Sequence, residues 1–247
     1  ETMNATTQEA FQNVLKGKSA FLEAGISDVV PPYVYNEDKY KAYGPENPGI
    51  TLNRIRAYEE YVNVLDIEML TGRNFDKPRG TDKHAVIINE AAAKILGWGN
   101  TEDFATDSPL GKHITFPSSS QPLFEVIGVV KDFNYNSLRT DINPLVIIHE
   151  DNDLLWENGQ DFVSARINPA VINSQDALQD LIADVKEELY RISPNTPFQY
   201  SFTDALFEES FRTEQRMGQV LNIFTVMALT NACHGLFGLA DFSAEDR

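Results

Sequence analysis

The chain has 247 residues, 42% of them hydrophobic, enough to bury a sizeable core in one large domain or two small ones, which excludes a disordered chain. Its 20 Lys and Arg face 37 Asp and Glu, a formal net charge of −17 that repels phosphate backbones and anionic headgroups and argues against a nucleic-acid partner. The single cysteine, Cys233, excludes an intramolecular disulfide framework, and no charged segment followed by an apolar run opens the sequence, so export would be directed by residues outside it.

In chain order, helix and strand signals alternate without an internal repeat, which predicts an α+β fold with mixed sheets. Phe11, Val14 and Leu15 predict a helix in the first half of 7–22, weakened by Gly17. Residues 26–30 read as a short strand stopped by Pro31 and Pro32. The stretch 33–49, rich in Tyr, Pro, Asn and charge, reads as a surface excursion. A strand is expected over 51–57, then 58–70 leads into the turn Thr71-Gly72-Arg73. Residues 85–88 form a short buried strand, and Asn89 caps a helix over 90–96 that Gly97 ends. The β-branched runs 114–116 and 124–131 suit a hairpin with a loose loop at 117–122, and 145–149 suits another strand. An acidic boundary spans 150–161, followed by a strand over 162–167. Residues 174–192 show the clearest amphipathic pattern, with Leu178, Leu181, Ile182, Val185 and Leu189 on one stripe. Residues 198–202 alternate as a strand, and Asp204 is placed to cap a long helix from Ala205 onward, the candidate stalk.

That helix would run into 220–240, VLNIFTVMALTNACHGLFGLA, in which 16 of 21 residues are apolar or Gly and none carries a formal charge. About 20 helical residues cross a hydrocarbon core of roughly 30 Å, so this run has the length of a membrane span. Asn222, Thr225, Thr230, Asn231 and His234 interrupt it, and such groups need partners on neighbouring helices. The same residues also suit an apolar helix packed on the domain's own core or on a second copy.

Motifs for chemistry are missing from the sequence. His84, His113, His149 and His234 stand at no metal-ligand spacing, and Cys233 and His234, being adjacent, would face different sides of a helix. No G-x-G-x-x-G and no G-x-x-x-x-G-K-[ST] occurs, so ATP hydrolysis within the chain is not expected. With 37 carboxylates, spacing along the chain does not single out a catalytic pair, and solvated acidic faces account for them. Neither a catalytic residue, a metal nor a cofactor is assigned. Tyr33, Tyr35, Tyr40 and Tyr43 share one loop and form a candidate partner surface, with packing onto the domain as the other reading.

One resemblance organises these elements. Residues 61–75, YVNVLDIEMLTGRNF, followed by AVIINEAAAKILG at 85–97, SPLGKHI at 108–114, VIGVVKDF at 126–133, Ser137-Leu138, Asn143-Pro144-Leu145, EQRMG at 214–218 and GLFGLA at 235–240 with Ala244-Glu245, resemble in order the periplasmic core domain of MacB/FtsX-type ABC transporter permeases. The likeness is collinear over about 58–247, whereas 1–57 match only in general character. The wording of 129–138 resembles permeases that carry two such domains, of the kind found in Bacteroidetes-like bacteria. The family usually has apolar residues where Asn231 and His234 stand, and Ser where Asp241 stands.

The resemblance implies a domain inserted between two transmembrane helices of a bacterial inner-membrane permease and lying in the periplasm. It implies a porter-like subdomain, assigned here to 1–60 and 160–219, and a β-rich outer lobe at 61–159, with 220–240 starting the next transmembrane helix. Gly72, Arg73 and Gly128 then serve structural turns. Phe211, Arg212, Gln215 and Arg216 sit on the stalk, where they would couple motion of the membrane part to the domain. The implied role is non-catalytic mechanotransmission, efflux-like, driven by an ABC ATPase on another domain or subunit. Implied partners include a periplasmic adaptor, a lipoprotein or a cell-wall hydrolase, and a second copy in a homodimer. A ligand-sensing module of a membrane permease or sensor complex is the alternative.

Overall fold

The computed structural model describes residues 3–34, 36–44, 49–76, 80–99, 104, 106–121, 123–136, 141–152, 161–210 and 212, together with 221, 224, 225, 227–232 and 234. They fall in two compact units, 1–200 and 201–247. The first unit holds nine strands and four α-helices among the described residues.

The ends of the chain segment 1–200 build one layer of it. Helix α1 (Ala5–Lys16) starts at Asn4, whose side chain accepts from the Thr7 amide at 2.9 Å. Helix α4 (Gln175–Ile192) starts at Ser174, whose hydroxyl accepts from the Ala177 amide at 3.2 Å. Strand β1 (Phe21–Ser27) pairs antiparallel with β9 (Phe162–Ile167), Ala24 opposite Ala165. Phe11 and Leu15 of α1, Ala24 of β1 and Leu189 of α4 form the core of this layer, with Phe21, Val163, Val185 and Phe198 packed around them. Lys18, just past α1, reaches Asp184 at 2.8 Å and Glu188 at 3.3 Å on α4.

The middle of the chain forms a closed ring of strands. Strand β2 (Glu37–Ala42) pairs with β6 (His113–Thr115), β6 with β7 (Phe124–Val130), β7 in parallel with β5 (Ala85–Asn89), and β5 with β8 (Leu145–His149). Strand β8 then runs parallel to β3 (Ile50–Ala57), and β3 pairs back onto β2, Leu52 opposite Asp38. All six strands contribute to one apolar cluster, including Tyr40, Leu52, Val86, Ile114, Phe124 and Val146, which therefore fills the ring, joined by Ala92 and Ala93 of helix α3 (Glu90–Ile95) and by Trp98. On the other face Ile55, Ile87, Leu145 and Ile147 pack with Tyr61 and Val62 of helix α2 (Tyr61–Val64) and with Phe75 and Tyr135. Because both faces of β5 and β8 are covered, those two strands are apolar at nearly every position rather than alternating.

Asn89 holds the centre of this construction. Its carbonyl oxygen caps α3 by accepting from Ala92 at 3.0 Å and also accepts from the Leu145 amide at 2.8 Å, while its amide donates to the Asn143 carbonyl at 3.0 Å.

Three expectations are corrected. The stretch 33–49 is not wholly a surface excursion: β2 crosses it, because pairing with β3 and β6 on its two edges outweighs the low strand propensity of EDKYKA. Residues 198–202 alternate but form no strand; Phe198 packs into the helix-covered core and stacks on Tyr200 with ring centroids 5.6 Å apart. The first strand also lies earlier than expected, at 21–27 rather than 26–30.

In the second unit a helix runs over 203–210, its first turn closed by the Leu206 amide donating to the Phe202 carbonyl at 3.0 Å, so it begins before Asp204. Leu221, Phe224, Met227 and Leu229 are helical and exposed. Among the described residues no helix is long and apolar enough to cross a membrane, and most of 220–240 lies outside them.

Candidate functional site

The two layers of the first unit meet along a narrow seam. Strand β1 touches the ring through a single residue pair with β3, Ser27 opposite Ala57. Backbone bonds continue it by one step each way, the Asp28 amide donating to the Arg56 carbonyl at 2.9 Å and the Tyr58 amide to the Ile26 carbonyl at 3.2 Å. Beside it α2 presses on β1, where Gly25 leaves room: a β-carbon there would stand 3.2 Å from Cβ of Glu60 and 3.2 Å from Cγ2 of Val64. Two ion pairs flank the contact, Lys16 with Glu60 at 2.6 Å and Arg166 with Asp66 at 2.9 Å.

A buried charge cluster closes the seam. Arg54 and Arg56, two apart on β3, share one face of that strand. Asp28, at the end of β1, accepts from the Arg56 amide at 2.8 Å, from Arg54 Nη1 at 3.2 Å and from Asn36 Nδ2 at 3.3 Å. Arg54 also donates through Nε to Asp38 on β2 at 2.8 Å. The Arg56 guanidinium pairs with Glu150, just past β8. Burial pushes the Asp28 carboxyl above its ordinary range, against the pull of the Arg56 amide and the two arginines. Burial pushes Glu150 up to about 7, with Arg56 opposing and Asp161 and Asp28 adding repulsion. Nearby, His149 is buried with its ring edge-on to Phe75 at 5.2 Å and Tyr58 at 6.1 Å, and its Nδ1 accepts from the Asp151 amide at 3.2 Å. Asp28 thereby ties the end of β1 to β3; among the described residues no group of three or more His, Cys, Asp or Glu is placed to hold a metal ion.

The turn residues named from the sequence come together elsewhere on the ring. Strand β4 (Met69–Gly72) lies against β7 with Gly72 opposite Gly128. Gly72 has φ +80, and a β-carbon on it would stand 2.2 Å from the Ile127 carbonyl oxygen; one on Gly128 would stand 2.5 Å from that of Arg73. The Arg73 guanidinium forks onto Asp82, Nη1 to Oδ2 at 2.6 Å and Nη2 to Oδ1 at 2.7 Å. Asp82 Oδ2 also accepts from the Asp76 amide at 2.9 Å. Burial works against ionisation of Asp82, but these bonds outweigh it and hold the carboxyl below its ordinary range.

The four tyrosines do not share one surface. Tyr40 is buried in the ring, 5.4 Å from Phe116 and 6.1 Å from Phe124 between centroids, whereas Tyr33 and Tyr43 are exposed by 39% and 47%. Tyr35 lies outside the described residues, as do Phe211, Gln215 and Arg216. Arg212 is exposed, with Nη2 3.4 Å from Glu208 Oε2. Of the adjacent pair in the terminal run, Cys233 is outside the described residues and His234 Nδ1 lies 2.8 Å from the Thr230 carbonyl oxygen. The seam cluster was not singled out from the sequence. Its one local signal is a pair of arginines at alternate positions of a strand, Arg54 and Arg56, and their carboxylate partners are scattered from Asp28 to Glu150.

Sequence comparison decides the family: the profile of the MacB-like periplasmic core domain matches residues 3–188. The chain belongs to that family. It is thus a periplasmic core domain of a MacB-like ABC-type transporter permease, and a solved structure at low identity agrees on the fold. The periplasmic region of MacB from Actinobacillus actinomycetemcomitans superposes with a TM-score of 0.52 at 17% identity, over 81% of each chain. The extracellular domain of the noncanonic ABC-type transporter YknZ from Gram-positive bacteria gives 0.46 at 19%, covering 74% of this chain and 82% of that one. A domain of a putative permease from Porphyromonas gingivalis gives 0.48 at 15%, covering 79% and 87%. No curated protein matches the sequence.

Proposed function

We propose that this periplasmic core domain transmits motion: ATP hydrolysis on a partner subunit or domain moves the transmembrane helices, and the domain passes that displacement to a periplasmic substrate or partner without catalysing a reaction. The observation that carries the reading is the seam, where a helix-covered layer and a closed ring of strands are joined by one strand pair, the edge of α2 and a charge cluster. Two dense bodies with a narrow joint transmit a push as a rotation rather than absorbing it in a soft core.

On this reading the porter-like subdomain is the layer of α1, β1, β9 and α4, and the outer lobe is the ring, with β2 and β3 counted in the ring to which they are paired. The run 220–240 returns the chain to the inner membrane, and Phe211, Arg212, Gln215 and Arg216 form the coupling stalk. A periplasmic adaptor, a lipoprotein, a cell-wall hydrolase and a second copy of the chain are the partners such a device would act on. The ligand-sensing alternative relied on an aromatic loop, and Tyr40 is part of the core rather than of that loop's surface.

A reversible lock tests the reading. In the parent permease with Cys233→Ser, the pair Ser27→Cys and Ala57→Cys falls on a non-hydrogen-bonded antiparallel pair across the seam, whose α-carbons lie about 4.5 Å apart, within reach of a disulfide. Oxidation should stop periplasmic output while ATP hydrolysis continues, and reduction should restore it. Unchanged output with the disulfide formed would refute the reading.

A further inference from the structure

The charge cluster at the seam is unevenly composed. On the ring side Glu150 pairs with Arg56 of β3 and lies within electrostatic reach of Tyr58, ahead of α2; around them Arg54 of β3 reaches Asp38 of β2, and His149 at the end of β8 has Glu59 at 4.0 Å and Asp151 at 3.9 Å. From the helix-covered layer Asp28, just past β1, and Asp161, just before β9, repel its charge, and Glu9 of α1 acts in the same sense on Tyr58. Two guanidinium groups thus serve at least three buried or half-buried carboxylates, and Arg54 is already shared by Asp28 and Asp38. Glu150 uses one oxygen on Arg56, while its Oε2 is buried and finds no hydrogen-bond partner among the described residues. An ionised carboxylate in that position keeps one oxygen on Arg56, leaves the other unsatisfied, and is repelled by two carboxylates of the other layer.

We propose that Glu150 is a proton-operated latch of the seam: its neutral form lets Asp28 and Asp161 stay against the ring, and its ionisation loosens β1 from β3. The latch itself is a property of this domain; only its use in coupling rests on the transmission reading above. The protonation chemistry sets the direction. Closure of the seam raises the Glu150 carboxyl from 4.5 to about 7, so the closed form binds the proton more tightly than an open, solvated one. Its stabilisation is full below the ordinary value, declines as pH rises, and is gone above about 7. Asp28, raised by burial, acts in the same sense. A mildly acidic exterior would therefore stiffen the joint and an alkaline one would free it.

Amide hydrogen exchange on the full chain, corrected for intrinsic rates and compared at pH 5.5 and 8.5, tests this. In the wild type, protection in segments covering 21–28 and 54–58 should fall on the order of tenfold at the higher pH, while β5 and β8 stay unchanged. In Glu150→Gln, which keeps the shape and removes the titration, the fall should shrink below about threefold. Asp161→Asn, which removes repulsion from the opposite layer, should reduce the fall as well and serves if Glu150→Gln does not fold. The proposal is overturned if the wild type shows no fall, if the variant falls as much as the wild type, or if β5 and β8 lose protection together with the seam. None of these results depends on transport, so the disulfide lock can fail while the latch stands, and the reverse.

Discussion

Removing Arg73 while keeping its shape, as Arg73→Met, should destabilise the first unit by about 2–3 kcal/mol. The figure follows from the asymmetry of the pair. The Asp82 side chain is only 3% exposed and takes both arms of the guanidinium, at 2.6 and 2.7 Å, whereas the Arg73 side chain is 35% exposed. Taking one partner from a buried pair costs roughly 3–5 kcal/mol because it strands the other charge. Solvent reaches the arginine and the Asp76 amide still donates to Asp82 Oδ2, so the lower part of that range, discounted for screening, applies. Asp82→Asn should cost less, about 1–2 kcal/mol, since the guanidinium left behind can hydrate. Urea unfolding of each variant at pH 7 gives both numbers. A pH series adds a second check: Asp82 is held below its ordinary value of 3.8, so its contribution is present above that pH and is lost as pH falls through the lower folded value. The gap between wild type and Arg73→Met should therefore narrow in acid. A loss under about 1 kcal/mol for Arg73→Met, or a larger loss for Asp82→Asn, would refute the reasoning.

Two further substitutions probe the ring. Gly72→Ala should cost about 3 kcal/mol, combining a left-handed backbone at φ +80 with a β-carbon 2.2 Å from the Ile127 carbonyl oxygen, and thermal unfolding would register it as a clear drop in Tm. Asn89→Ala should cost about 3 kcal/mol or more, because it leaves the Ala92 and Leu145 amides and the Asn143 carbonyl without their shared partner; urea titration at pH 7 measures it, and Asn89→Asp, which keeps the acceptor, should recover part of the loss.

Much of the fold was legible in the sequence because local chemistry enforces it. Asn89 and Ser174 lie one residue before helices that need an acceptor for their first amides, and both serve as caps. The stripe from Leu181 to Leu189 marks the buried side of α4, and the apolar runs at 85–89 and 145–149 mark strands covered on both faces. Strand β2 was not legible, since EDKYKA becomes a strand only by having β3 and β6 beside it. The reverse happened at 198–202, where an alternating pattern without a paired neighbour stays irregular.

By itself the sequence determined most of the elements, the acidic balance, the turn glycines and the family, because capping, periodicity and close backbone approach each depend on a few adjacent residues. Only the tertiary structure decided that β2 closes the ring, that Tyr40 is core, and that Asp28, Arg54, Arg56 and Glu150 meet at one seam. Those residues are brought together by strand pairing across more than a hundred positions of chain, and it is their shared burial, invisible in any local window, that gives the carboxylates their altered affinity for protons.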